Sequence, residues 1–430
     1  MRVLMFGWEF PPHISGGLGT ASYGLTKGMA SMDDLEVIFV VPKAWGDEDQ
    51  SMVRLIGANK VPVAYKKIYY KGTRTSIEKI EVYSKIVPYT DPEDFWKRVR
   101  SEVYGHRLFV QTNNTGMVDF SGRYDHNLLD EIYKYSIVAS IIAEENDFDV
   151  IHAHDWLAYP AGIAAMEVSG KPLVIHVHAT DFDRSGGNVN PEVYKIEKKG
   201  MDAASKIITV SNLTRDIVIN KYNINPEKVE TVYNAVEHVE LTENIVVNKG
   251  FDEKVVTFLG RITLQKGPEY FIEAAYKVLK VMDNVRFVMA GSGDMMERMM
   301  RRAASLRITD RFHFTGFLKG MDVYTMLAMS DVYIMPSVSE PFGISPLEAM
   351  QSNVPVIISK QSGVAEILTH AVKTDFWDID AMADAIYGIL NYPALASMFI
   401  KNGKEEVVRL KWDNSAKHVR DIYERVIWHK

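Results

Sequence analysis

Short apolar runs that end in Gly, Ser or Asp and give way to amphipathic stretches recur along the chain. This is the pattern of strands feeding helices in a parallel sheet. In the first half, Val3–Phe6, Val37–Val41, Val150–His152, Leu173–Val177 and Ile207–Val210 predict strands. Asn127–Glu145 and Ser211–Tyr222 predict helices, the second opened by Ser211 as N-cap. Lys60–Val87 breaks the rhythm, since its segments KKIYY and KIEVYS alternate and predict an antiparallel excursion or added hairpin. After Asn234 a polar, strand-poor stretch, AVEHVELTENIVVNKG, precedes a fresh start at Val255–Leu259. Strands at Arg286–Ala290, Phe312–Thr315, Val332–Met335 and Val356–Ser359 follow, with helices at Pro268–Val281, Met321–Met329 and Asp380–Asn391. Trp412–Trp428 predicts a last helix with no strand after it, able to pack on either half. The expected organisation is α/β: two doubly wound units, residues 1–236 and 237–411, facing a central cleft, with 412–430 as a terminal helix returning to the first unit.

Length and composition agree with two units. A chain of 430 residues exceeds what one hydrophobic core serves, and 47% hydrophobic with 24% charged residues is ordinary for a soluble globular protein. Forty-nine Lys and Arg against 56 Asp and Glu leave a net charge of −7, so no global positive field attracts nucleic acid and any anion site must be local. The absence of cysteine excludes disulfides, thiolate metal sites and Cys nucleophiles, and fits a reducing compartment. The opening apolar run is interrupted by Trp8-Glu9 and Pro11-Pro12 before a signal-peptide core or membrane span could form, so a cytoplasmic protein without a membrane span is expected.

In doubly wound folds the ligand lies beyond the carboxyl ends of the strands, which directs attention to the loops after them. The first is Pro11–Thr20, whose Gly16, Gly17 and Gly19 let backbone amides approach an anion before a helix expected to start near Ala21. A tight turn without ligand is the alternative. A dinucleotide fingerprint starting at Gly17 meets Ser22 where Gly or Ala is required, and no GxxxxGK[ST] segment exists. His152-Ala153-His154-Asp155-Trp156 and His176-Val177-His178 place two His-x-His pairs at strand ends, where alternate residues share a face. Without a carboxylate set beside them, structural histidines or a cleft site fit better than a metal. Gly260-Arg261 through Lys266-Gly267 sets two cations five residues apart before a helix, able to bracket a diphosphate. Gly291-Ser292-Gly293-Asp294 reads as a turn and helix cap. In Ser339-Glu340-Pro341-Phe342-Gly343-Ile344-Ser345-Pro346-Leu347-Glu348, the two carboxylates are too far apart for a glycosidase pair. Ser345 to Glu348 also fits a capping box, so structural and ligand roles for Glu348 stand side by side.

Together these fragments resemble the retaining GT-B glycosyltransferases over nearly the whole chain, glycogen and starch synthases in particular, within the broad family that includes sucrose and trehalose synthases and mannosyltransferases. The resemblance implies that Arg261 and Lys266 hold the donor diphosphate, that His178 lies by the transferred sugar, and that Glu340 contacts its hydroxyls. It further implies donor contacts from Gly16, Gly17, Leu18, Gly343 and Ile344, a ribose contact from Glu348, and an ordering role in the sugar pocket for Asp155. The implied reaction moves glucose from ADP- or UDP-glucose to the non-reducing end of an α-1,4-glucan, with no resident cofactor or metal. Two details differ from that subgroup: Ile14-Ser15 replaces the usual Lys-x before Gly-Gly-Leu, and Phe342 stands where many ADP-glucose enzymes have Cys. Another retaining transferase, a non-catalytic nucleotide-sugar-binding module, a phosphorylase and an epimerase are the competing classes.

Overall fold

A computed structural model describes residues 1–14, 16–63, 116–124, 127–238 and 249–428. From residue 64 onward the excursion expected in Lys60–Val87 lies outside the described residues, as does most of the polar stretch after Val236. Seven strands, β1 (Arg2–Phe6), β2 (Glu36–Val41), β3 (Arg54–Gly57), β4 (Val150–His154), β5 (Leu173–Val177), β6 (Lys206–Thr209) and β7 (Val229–Thr231), form one sheet. Its order is β3-β2-β1-β4-β5-β6-β7, and every pairing is parallel. Six more, β8 (Lys254–Leu259), β9 (Val285–Ala290), β10 (Phe312–Gly316), β11 (Val332–Met335), β12 (Val356–Ser359) and β13 (Val372–Thr374), make a second parallel sheet ordered β10-β9-β8-β11-β12-β13. In both, the order reverses beside the first strand of the unit, which is where such sheets open a crevice.

The strands read as continuous apolar runs because helices cover both faces. In the first sheet Leu4, Phe6, Ile151, Ala153, Ile175 and Val177 face the helices Leu128–Glu145 and Asp155–Ser169. Val3, Met5, Val150 and Val174 face Gly17–Ala30 and the C-terminal helix. That last helix, Trp412–Trp428, lies on the first half. A Cβ on Gly24 would come within 2.3 Å of the Trp412 ring, and one on Gly28 within 2.8 Å of the Trp412 carbonyl oxygen. Two glycines one turn apart thus form the groove into which the chain's end settles.

Two local expectations are corrected. The first helix starts at Gly17 rather than near Ala21, with Gly16 as its extended N-cap; glycines have low helix propensity, so a glycine-rich helix start looks like loop in sequence. The capping box at Ser345 to Glu348 does not form: the helix Ser345–Gln351 has Ile344 at its N-cap and no side-chain cap. Strands β3, β7 and β13 escaped notice because they are short edge strands, RLIG, VET and VKT, that lack the continuous apolar run of the inner strands. The Asp155–Ser169 helix carries Pro160 in its interior, a breaker in most sequence contexts.

Candidate active site

On the C-terminal side of the crevice, close backbone approaches place the charged groups. Gly291, at φ +144°, leaves only 1.8 Å between a hypothetical Cβ and the Gly260 carbonyl oxygen. The Ile262 amide donates to the Ser292 carbonyl at 2.9 Å, and the Met295 amide to that of Ile262 at 3.1 Å. These contacts lock the post-β8 loop while Arg261 itself is exposed, with no hydrogen bond or ion pair among the described residues. Gly267, in the left-handed region at φ +64°, lets the chain pass against the Pro336 carbonyl, where a Cβ would sit 2.1 Å away. The Val338 amide then donates to the Gln265 carbonyl at 2.9 Å. As a result Lys266 forms an ion pair with the nearly buried Glu340. Ser337 Oγ donates to the same carboxylate at 3.3 Å, and at Gly343, φ +99°, an added Cβ would sit 3.2 Å from Glu340 Cγ. Ile344 touches the apolar cores of both halves. Glu348 is half-buried, and its carboxylate accepts no hydrogen bond among the described residues and is pushed up to about 7 by desolvation.

The N-terminal side is built from imidazoles. His152 and His154 on β4, His176 on β5 and His178 just beyond it share one face and stack. Ring centroids are 4.4 Å apart for His152 and His154 and 4.3 Å for His176 and His178. His154 Nδ1 and His178 Nε2 share a hydrogen bond of 2.9 Å, and His152 Nδ1 bonds the Tyr423 hydroxyl of the terminal helix. Burial holds all four rings below the ordinary imidazole range, His152 at about 3. They are therefore neutral at physiological pH. Among the described residues, His178 Nδ1, His176 Nδ1 and Nε2, and Nε2 of His152 and His154 have no hydrogen-bond partner. Nitrogens of His152, His154 and His176 come within 4.8 Å of one another, but the rings are nearly parallel, at interplanar angles of 23°, 25° and 32°.

Asp155 follows at φ +59° and accepts the His178 amide at 2.7 Å and the Ala179 amide at 3.3 Å. At the start of Gly17–Ala30, Cβ atoms added to Gly16 or Gly17 would meet nothing within 4 Å. Gly17 and Leu18 stand in the first turn of this helix, and a helix N-terminus is a geometry suited to an anion. By contrast Gly19 is a packing residue, crowded by Ile14 and Glu9. The two sides of the crevice touch: Ser339 Oγ, next to Glu340, donates to Asp183 Oδ1 at 2.6 Å. Farther out, Glu366 accepts the Asn212 and Leu213 amides at 2.9 and 2.7 Å.

Two family models match in tandem, Glycosyltransferase Family 4 over residues 105–240 and Glycosyl transferases group 1 over residues 242–406. Together they take in well over half of the chain. The whole fold is similar to a sucrose-phosphate synthase structure from Thermosynechococcus elongatus, with a TM-score of 0.69 at 16% identity, covering 100% of both chains. The chain belongs to the GT-B glycosyltransferases. An uncharacterized glycosyltransferase of Methanocaldococcus jannaschii is 27% identical across 98% of each chain. A glycogen synthase of Mycobacterium tuberculosis is 22% identical, covering 98% of this chain and 94% of its own. Among the described residues, no helix of this glycosyltransferase is long and apolar enough to cross a membrane.

Several residues that shape the site did not stand out in sequence. Arg184 pairs with both Asp155 and Glu197, and Asp183 reaches the opposite side of the crevice. A signal for the turn was present in Thr180-Asp181-Phe182-Asp183, which forms a complete capping box in this glycosyltransferase.

Proposed function

We propose that this glycosyltransferase moves glucose, with retention, from ADP- or UDP-glucose to the non-reducing end of an α-1,4-glucan. The observation that carries the reading is the pairing of a free guanidinium and an ammonium on one side of the crevice with a neutral imidazole on the other. Arg261, Lys266 and the Gly17 and Leu18 amides offer positive potential to a diphosphate leaving group. Lys266 is held by Glu340 in the ligand-free chain. A bound diphosphate would take over the ammonium and free the Glu340 carboxylate for sugar hydroxyls. His178, neutral and aimed from the other side, donates to or accepts from the sugar without adding charge beside an oxocarbenium-like carbon.

In the step itself the acceptor oxygen forms the new bond to the anomeric carbon on the face the phosphate leaves. The bond to the phosphate oxygen breaks with its electron pair going to the diphosphate, and that oxygen takes the acceptor's proton. Desolvation in the crevice strengthens the cation contribution and limits hydrolysis of the donor. Glu348 supplies a carboxylate for the nucleotide ribose. The reading uses no resident metal, and activity is expected to survive exhaustive chelation.

The test is purified protein with a panel of nucleotide sugars, with and without maltooligosaccharides, following nucleotide release and product length. Elongation from ADP- or UDP-glucose is the expected result. A strict preference for another sugar donor with no glucan elongation would remove the substrate assignment and leave the reaction class standing.

A further inference from the structure

We infer that Arg184 is a positioning residue for transfer, clamping the strained Asp155 so that the His178 backbone and ring are presented to the sugar. This rests on the reading of the crevice as a sugar-transfer site. Asp155 occupies the left-handed region, at φ +59°, which costs free energy for a residue other than glycine and persists only where surrounding contacts over-determine it. Its Oδ1 is committed to the His178 and Ala179 amides. What holds its other oxygen is Arg184, whose Nη2 donates to Asp155 Oδ2 at 3.1 Å and to the Ala179 carbonyl at 3.0 Å. One guanidinium nitrogen therefore grips both the strained side chain and the backbone just after His178.

The other nitrogen ties this clamp to the scaffold. Arg184 Nη1 donates to Glu197 Oε1 at 3.3 Å. Glu197, on the helix Pro191–Ala203, also accepts the Asp181 amide at 3.0 Å and the Tyr222 hydroxyl. Both carboxylates that Arg184 bridges are almost fully buried, at 4% and 2% side-chain exposure, so the guanidinium is the counter-charge for two desolvated anions. The preceding residue, Asp183, is the one that meets Ser339 beside Glu340. The same short turn thus orients the imidazole side of the crevice and touches the carboxylate side. Arg184 need not contact substrate for its geometry to matter, because a displacement of about 1 Å at the reacting groups can cost 10²-fold in rate.

Removing Arg184 alone strands two buried anions and can unfold the chain, so the test uses a charge-balanced variant. Arg184→Gln combined with Glu197→Gln removes one of the two anions and leaves Asp155 the His178 and Ala179 amides as partners; it is expected to fold with a lowered melting temperature, keep the donor KM, lower kcat about 10²-fold, and shift the His178 imidazole and amide NMR signals. Arg184→Lys keeps the charge without the fork and is expected to restore part of kcat. A folded balanced variant with near-normal kcat and unmoved His178 signals would overturn the inference, as would Glu197→Gln alone matching the full loss. If the wild type transfers from some nucleotide sugar, such a result sinks the Arg184 role only. If the wild type transfers nothing across the whole panel, the transfer reading fails and this inference fails with it.

Discussion

The two walls of the crevice solve opposite problems. On the N-terminal wall, four imidazoles are buried, uncharged and stacked, with His154 hydrogen-bonded to His178 and His152 to Tyr423. On the C-terminal wall, Arg261 is exposed and unpaired, Lys266 is held only by Glu340, and Glu348 is a carboxylate without a partner among the described residues. The first wall is a finished surface whose shape does not wait for a ligand. The second carries charge that a ligand would complete. The contrast teaches that in this fold geometry and electrostatics are divided between the halves, and each can be perturbed without the other.

The sharpest test of that division is on the charged wall. Arg261→Ala is expected to lower turnover by roughly 10²–10³-fold, the usual cost of removing one well-placed electrostatic donor. Its melting temperature should not move, because the side chain is exposed and unpartnered. Lys266→Ala should also reduce turnover, while the double variant falls short of additivity because both cations would share one diphosphate. Turnover and thermal melts of the three variants decide it: a folded double variant with normal turnover would take both cations out of the site.

Acid separates the walls in the opposite direction. A histidine whose folded-state pKa is lowered contributes stability that is fully present above its unfolded value near 6.5 and is lost as pH falls below it. His152, His154, His176 and His178 all behave this way. Glu197 and Glu348, both raised to about 7, act in the reverse sense and give back one proton each between 7 and 4.5. The four histidines outweigh the two carboxyls, so stability falls as pH drops below 6.5. Melting temperature should therefore drop steeply between pH 6.5 and 5, and a flat profile would show that the imidazole wall is hydrated or open.

The smallest effect expected concerns Glu348. With its carboxyl at about 7, it is ionised above that pH and protonated below. If the carboxylate binds ribose, donor affinity should weaken as pH falls from 8 to 6, by up to about tenfold for one titrating group. Glu348→Gln should flatten that dependence. Donor titrations of both proteins at the two pH values measure it, and parallel curves would separate Glu348 from the donor.

Sequence made the architecture legible because a parallel sheet writes itself as repeated apolar runs, and Val3–Phe6, Leu173–Val177 and Val332–Met335 are such runs. It also revealed the charged wall, since Arg261, Lys266 and Glu340 stand in short motifs after strands. It revealed much less of what aims those groups. Nothing in the local pattern says that Gly267 exists to pass the Pro336 carbonyl, or that Gly291 does so for Gly260, because both partners are distant in sequence. The capping box read at Ser345 to Glu348 failed for a related reason: local capping chemistry was available, but the chain entering that helix is directed by Glu340, Phe342 and Gly343 packing elsewhere. Arg184 and Glu197 were invisible because a buried salt bridge between two helices has no sequence spacing of its own.

The seating of Trp412 against Gly24 and Gly28 has a consequence for the order in which the protein is made. A chain emerging from the ribosome folds domain by domain, the N-terminal portion first. Here one face of the first sheet is covered by residues such as Val419, Ile422 and Tyr423, which are synthesised after every strand of both sheets. Until they emerge, Val3, Met5 and Val174 have only the Gly17–Ala30 helix above them, and His152 lacks its tyrosine. The second unit, whose strands and helices between Lys254 and Val407 are contiguous, can close while the first is still waiting. Translation begins with the first half, yet its core is completed only by the final helix.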